Sequence, residues 1–152
     1  DELQACQQSW RWPRGARLTL RQHLHVTLQF MGQVPRALLP ALLEAANVPA
    51  PPFDLLLDTA GVWRGGVAWL RPSMPPAELL ALHGRLGGVL QQLGCEADRR
   101  AYEPHVTLAR RATGAEPPAT PGVRWRIDGY VLVESRLLAA PEYTVLRRYG
   151  QP

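Results

Sequence analysis

The tetrapeptide His-Val-Thr-Leu occurs twice, at His25-Val26-Thr27-Leu28 and again at His105-Val106-Thr107-Leu108. No other feature limits the fold of this chain so strongly. Both copies sit among apolar and β-branched residues, from Leu24 to Phe30 and from Pro104 to Arg110, so each reads as a strand. Side chains alternate across a strand, so His and Thr of each copy share one face while Val and Leu take the other. Two such strands brought together would bury the Val and Leu side chains and line one groove with two imidazoles and two hydroxyls.

Those residue types suit one kind of chemistry. Histidine exchanges protons near neutrality, and two histidines facing one substrate can serve as base and acid in a single displacement without a metal. Threonine hydroxyls donate hydrogen bonds to a centre carrying negative charge. Arg110, five residues after His105, adds a full positive charge. The candidate site is therefore His25 and His105 as catalytic groups, with Thr27, Thr107 and Arg110 binding substrate. An anionic tetrahedral centre, a phosphodiester, fits it.

The remaining candidates are weaker. A zinc site wants three or four ligands, and His23, His83, Cys6 and Cys95 stand at no ligand-like spacing, so no metal site is read. His83 reads as a solvated residue on the polar side of a helix. His23 shares the strand parity of His25, which allows a place at the groove mouth, but it reads as a surface residue instead. Trp63, Trp69 and Tyr102 suit either stacking on a base or packing within a hairpin and core. Phe30 holds the place in the first motif that Arg110 holds in the second, as a groove wall or a buried residue.

Composition bounds the rest. With 152 residues, 46% hydrophobic and 20% charged, the chain fits one domain or two small lobes of an ordinary globule. No apolar run approaches the ~20 residues of a membrane helix, and the start does not read as a signal peptide. The formal charge is +4, and all seventeen basic residues are Arg. Arginine binds phosphate in a planar, bidentate way, but a GC-rich coding bias gives the same usage, so charge points only weakly to anionic partners. Cys6 and Cys95 read as reduced thiols of an intracellular protein. The expectation is a cytoplasmic monomer with no membrane association and no cofactor.

Along the chain, residues 1–8 read as the end of a helix and 10–15 as a turn-rich connector. The first motif strand runs from about His23 to Met31. Pro35 to Asn47 has the spacing of an amphipathic helix. After the stiff linker Pro49-Ala50-Pro51-Pro52, Phe53 to Thr59 reads as a strand, and a hairpin turns at Gly65-Gly66 into Val67 to Arg71. Ala77 to Leu93 is the clearest helix, stopped by Gly94. The second motif strand spans about Pro104 to Arg110. Pro72 to Pro76 and Thr113 to Gly122 read as loops, lids or mere connectors. Val123 to Ser135 and Glu142 to Tyr149 read as strands, with Tyr143, Val145 and Leu146 set against a core. Runs of strands with one helix per half predict an α+β fold.

The paired motifs resemble the His-x-Thr/Ser-x signatures of the two-histidine (2H) phosphoesterase superfamily. The surrounding text is similar to the bacterial and archaeal RNA 2′,3′-cyclic phosphodiesterases, also called 2′-5′ RNA ligases. Leu24 to Gly32, Val67-Ala68-Trp69-Leu70, Pro104 to Arg110, Val131 to Ser135 and Tyr143 to Leu146 carry the likeness. It implies a single bilobal domain over 1–152, with antiparallel sheets from two pseudo-symmetric lobes around a central groove, one motif from each, and helices outside. It implies metal-independent hydrolysis of RNA 2′,3′-cyclic phosphate ends to 2′-phosphate, and reversible 2′-5′ ligation. His25 would protonate the leaving 3′ oxygen, His105 would activate water, Thr27 and Thr107 would hold phosphate oxygens, and Arg110 would assist. Pseudo-symmetry allows the two histidines to exchange roles. The partners implied are RNA ends or cyclic nucleotides. The alternatives are another small cyclic phosphate, such as one on a nucleotide or an ADP-ribose derivative, a 2′-5′ linkage, or an RNA-end-binding module without turnover. The family usually opens with a strand, followed by a helix, ahead of the stretch equivalent to Asp1, and that first strand reads as missing from the sequence as given.

Overall fold

The structure, a computed structural model, describes residues 2–96, 98–136 and 142–150. In chain order it comprises α1 (Glu2–Gln8), β1 (Arg17–Leu18), α2 (Leu39–Ala45), β2 (Phe53–Leu57), β3 (Thr59–Trp63), β4 (Val67–Arg71), α3 (Ala77–Gln92), β5 (Val106–Arg110), β6 (Val123–Ile127), β7 (Gly129–Arg136) and β8 (Glu142–Gly150). Single 3₁₀ turns form at Arg21–His23 and Arg36–Leu38. The β1–β5, β3–β4, β4–β5 and β7–β8 pairs are antiparallel, which makes the fold α+β. Two compact units divide it: Asp1–Thr27, Asp54–Pro75 and Tyr102–Trp125 in the first, Leu28–Phe53, Pro76–Ala101 and Arg126–Pro152 in the second. Among the described residues no helix is long and apolar enough to cross a membrane.

The first unit is built on a four-stranded sheet of order β1-β5-β4-β3. Its hairpin turns on Gly65 and Gly66, at φ +102° and +79°, where a side chain would be strained. Strand alternation then sorts the residues. Ala68, Leu70, Val106, Leu108 and Ala109 are fully buried on one face. The other face carries Trp63 and Gly61 from β3, Val67, Trp69 and Arg71 from β4, and Thr107 from β5, as the registers Trp63↔Val67, Gly61↔Trp69 and Trp69↔Thr107 require.

The ladder between β4 and β5 slips by one residue. Trp69 pairs with Thr107, but Ala68 pairs with Ala109, so Leu108 is the extra residue of a β-bulge. Leu108 and Ala109 are consecutive and both fully buried. Simple alternation would put Arg110 on the buried face with Val106. The bulge returns it to the face of Thr107, where it is exposed. The Gln7 side chain, itself buried, closes this region: its Nε2 donates to Leu108 O at 2.8 Å and to Thr19 O at 2.9 Å.

In the second unit α2, α3 and the β7–β8 hairpin share a core of Leu42, Ala46, Leu82, Leu86, Leu90, Leu132 and Tyr149. Burying each such leucine contributes roughly 1.5–3 kcal/mol. The α3 helix ends in a Schellman arrangement: Gly94 lies at φ +74° and Cys95 N donates to Leu90 O at 2.9 Å.

Four expectations need correction. The first motif is extended but not a strand, since the 3₁₀ turn at Arg21–His23 reorients the chain and only Val26 forms a bridge. The stretch from Val123 to Ser135 breaks at Asp128 into β6 and β7. On β8 the core residue is Tyr149, while Tyr143, Val145 and Leu146 are exposed. His83 is not solvated: its Nδ1 lies 2.7 Å from Leu28 O, and Gln29 Nε2 donates to His83 O at 2.9 Å. It follows Leu79 by four positions and precedes Leu86 by three, which places it beside the apolar stripe of α3. Asp1, grouped with the first helix by the sequence, lies outside the described residues.

Candidate active site

Both motif histidines fall in the first unit, whereas the resemblance implies one motif from each lobe. The reason is an antiparallel bridge between Val26 and Val106, which lays the first motif along the edge of β5 below β1. Antiparallel register around that bridge sets His25 opposite Thr107 and Thr27 opposite His105. Residues so placed have Cβ atoms about 4.5–5.5 Å apart. With Val26 on the buried side beside Val106, all four polar side chains take the face that also bears Arg110.

The two imidazoles are held identically. His25 Nδ1 lies 2.6 Å from His23 O, and His105 Nδ1 lies 2.7 Å from Glu103 O. A carbonyl only accepts, so Nδ1 carries the proton in each ring and proton exchange with a substrate runs through Nε2. His25, Thr27 and Arg110 are exposed, and His105 and Thr107 are half-buried.

A closed set of contacts supports His105. Trp63 meets its ring edge-on at 4.6 Å between centroids, and Trp69 lies against Trp63 at 5.5 Å. The Arg71 guanidinium sits 4.5 Å over the Trp69 ring and reaches the Glu103 carboxylate at 3.4 Å. Glu103 is the residue whose carbonyl holds His105. Trp69 Nε1 is buried without a hydrogen-bond acceptor, so ring contacts rather than polar ones hold this indole. On the other motif, Tyr102 Oη donates to Thr27 O at 3.1 Å. Burial pushes the Tyr102 phenol well above its usual range, which keeps it a protonated donor.

His23 contributes its carbonyl to His25. Trp63, Trp69 and Tyr102 all pack within the unit, and Phe30 is exposed and belongs to the second unit. Among the described residues no three His, Cys, Asp or Glu side chains gather where one metal ion could be held. Both loops read as lids or connectors are tied down. Ser73 N and Oγ donate to the Asp58 carboxylate at 2.6 Å each, and Glu116 exchanges backbone hydrogen bonds with Arg11.

Three contributors escaped the sequence reading. Gly61 faces Trp69 so closely that a Cβ there would lie 2.6 Å from the ring, a close approach that a glycine inside a strand run can signal. Arg17 pairs with Arg110 across β1 and β5. Gln7 is far in sequence from the carbonyls it holds, and no local pattern marks it.

Comparison with known proteins agrees with this architecture. Residues 1–136 match the 2′-5′ RNA ligase superfamily. The chain is 35% identical over 146 residues to the RNA 2′,3′-cyclic phosphodiesterase of Escherichia coli, covering 91% of this chain and 81% of that protein. It is 33% identical to the enzyme of the same name from Thermus thermophilus, covering 90% and 76%. The crystal structure of E. coli LigT complexed with 3′-AMP superposes with a TM-score of 0.80 at 33% identity, covering 91% of this chain and 82% of that one. The fold and the doubled motif define a two-histidine phosphoesterase. Within that class, the chain belongs to the 2′-5′ RNA ligase superfamily.

Proposed function

We propose that this chain is an RNA 2′,3′-cyclic phosphodiesterase that opens the cyclic phosphate to a 2′-phosphate and a 3′-hydroxyl. The observation that carries this is the pair of imidazoles held by their Nδ1 atoms to carbonyls two residues back, each opposite the other motif's threonine. The names of the E. coli and T. thermophilus relatives support the same reaction.

In this reaction His105 Nε2 takes a proton from water as its oxygen attacks phosphorus. The bond from phosphorus to O3′ breaks, and His25 Nε2, protonated beforehand, delivers a proton to O3′. Thr27 and Thr107 bind the non-bridging oxygens as charge builds on them, and the positive charge of Arg110 on the same face assists. Exchanging the two histidines gives an equivalent scheme with the same residues. An RNA 5′-hydroxyl in place of water would give a 2′-5′ linkage through the same groups. No step calls for a metal.

The test is turnover of a 2′,3′-cyclic nucleotide and of a short RNA with a cyclic end, in EDTA, with 2′- and 3′-phosphate products separated. Conversion to the 2′-phosphate is expected. His25→Ala and His105→Ala should each lower the rate by about 10²–10⁴ with little change in melting. Full rate in either variant would refute the two-histidine scheme, and binding without turnover by the native chain would make it an RNA-end-binding module.

A further inference from the structure

We propose that Arg17 and Arg110 together form an anion subsite that takes the phosphodiester next to the cyclic end of an RNA strand. It deepens the cyclic-phosphodiesterase reading and rests on it.

The register carries the inference. Arg17 and Arg110 are direct partners across antiparallel β1 and β5, so their side chains project from the same face. That face is the catalytic one, because the bulge at Leu108 and Ala109 turns Arg110 back to the side of Thr107. Two like charges directly opposite one another on a sheet are destabilising when nothing lies between them. The arrangement is also uncompensated. Among the described residues neither guanidinium has an acidic or hydrogen-bonding partner, whereas Arg11 and Arg71 of the same unit pair with Glu116 and Glu103. Both side chains are exposed.

An anion between the guanidiniums would convert the repulsion into two charge-assisted contacts, and arginine's planar fork fits phosphate oxygens. The pair stands at the end of β5 away from His105; with the bulge discounted it lies two ladder steps beyond Thr107 and three beyond the Val26–Val106 bridge, or roughly 10 Å from that bridge along the strand. A cyclic phosphate held by the two threonines would leave Arg17 beyond its reach. The next phosphate of a polynucleotide is the anion positioned to meet it. A 2′,3′-cyclic mononucleotide has no such group.

The experiment compares Arg17→Ala and Arg17→Lys with the native chain on a 2′,3′-cyclic mononucleotide and on a tetranucleotide ending in a 2′,3′-cyclic phosphate. Circular dichroism melting checks the fold of each variant. Binding of a fluorescent tetranucleotide with a 3′-phosphate end is measured in parallel over a range of salt. Arg17→Ala is expected to lower kcat/KM for the tetranucleotide at least tenfold more than for the mononucleotide. It should also make the slope of log affinity against log salt shallower by about 0.7, the loss of one single-strand phosphate contact. Arg17→Lys should recover most of the slope and part of the affinity. Equal losses on both substrates would overturn the subsite and assign Arg17 to the cyclic phosphate or to the fold. No loss in tetranucleotide affinity would overturn it as well. If the native chain turned over neither substrate, the enzymatic reading would fail by itself, and the salt slope would still decide whether Arg17 holds a phosphate.

Discussion

Val26 bridges Val106, and through that contact His25 comes to stand opposite Thr107 and Thr27 opposite His105. Neither motif is a complete site. Each supplies an imidazole to the other's hydroxyl, on the exposed face of a sheet whose buried face is packed by Val106, Leu108, Ala68 and Leu70. The repetition in sequence is thus a crossed pairing in space.

The proposed reaction requires one neutral and one protonated imidazole at the same moment. The rate is therefore expected to fall on both sides of an optimum, giving a bell-shaped profile of kcat/KM. In the residual activity of His25→Ala or of His105→Ala one limb should flatten. The check is a pH series with a cyclic nucleotide. A variant that kept both limbs would show that the deleted histidine is neither acid nor base.

Gly61 lies where a methyl group would press into the Trp69 ring at 2.6 Å. The indole cannot retreat freely, because Arg71 covers it and Trp63 lies against it. Gly61→Ala is expected to cost about 1–3 kcal/mol, as overpacking generally does. It should also lower kcat, since Trp63 passes the shift to His105. Urea unfolding and steady-state rates measure the two effects. Adding Trp69→Leu should restore stability, and failure to do so would mean that the strain lies elsewhere.

Asp58 gives the first unit an acid-sensitive tether. Ser73 Oγ, and then Ser73 N, donate to its carboxylate and hold its pKa below the usual value. A depressed native pKa contributes stability that is present above the unfolded value of about 3.9 and is lost as pH falls through the native value. Ser73→Ala should therefore be less stable than the native chain at neutral pH, and the gap should close below about pH 4. Unfolding midpoints across an acid series test this. A gap that stayed constant into the acid range would remove Asp58 from the account.

The candidate catalytic residues were legible because they come in a repeated, local pattern, and the hairpin at Gly65-Gly66 and the helix at α3 were legible for the same reason. What stayed hidden depends on contacts distant in sequence. Strand parity alone assigns Arg110 to the side of Val106, and only the slipped pairing of Ala68 with Ala109 reverses it. The first motif has the composition of a strand, yet the turn at Arg21–His23 leaves it one bridge instead of a ladder. His83 looked polar by type, but its place beside Leu79 and Leu86 decides its surroundings.

Gln7 joins these long-range effects to activity. It is buried, and its amide donates to Thr19 O, on the segment leading to the first motif, and to Leu108 O, in the bulge that aims Arg110. Gln7→Met keeps the volume but removes both donors, leaving Thr19 O without its Gln7 donor and, among the described residues, Leu108 O with the bond from Thr19 N. A buried group deprived of its partner costs about 1–3 kcal/mol, and a loss of that size is expected on unfolding. If Gln7 acts through the bulge, Arg110 is already misdirected in the variant. Arg110→Ala should then lower kcat/KM by a smaller factor in the Gln7→Met background than in the native chain, a non-additivity that a double-mutant cycle reads directly. Strictly additive losses would show that Gln7 supports the fold without aiming Arg110.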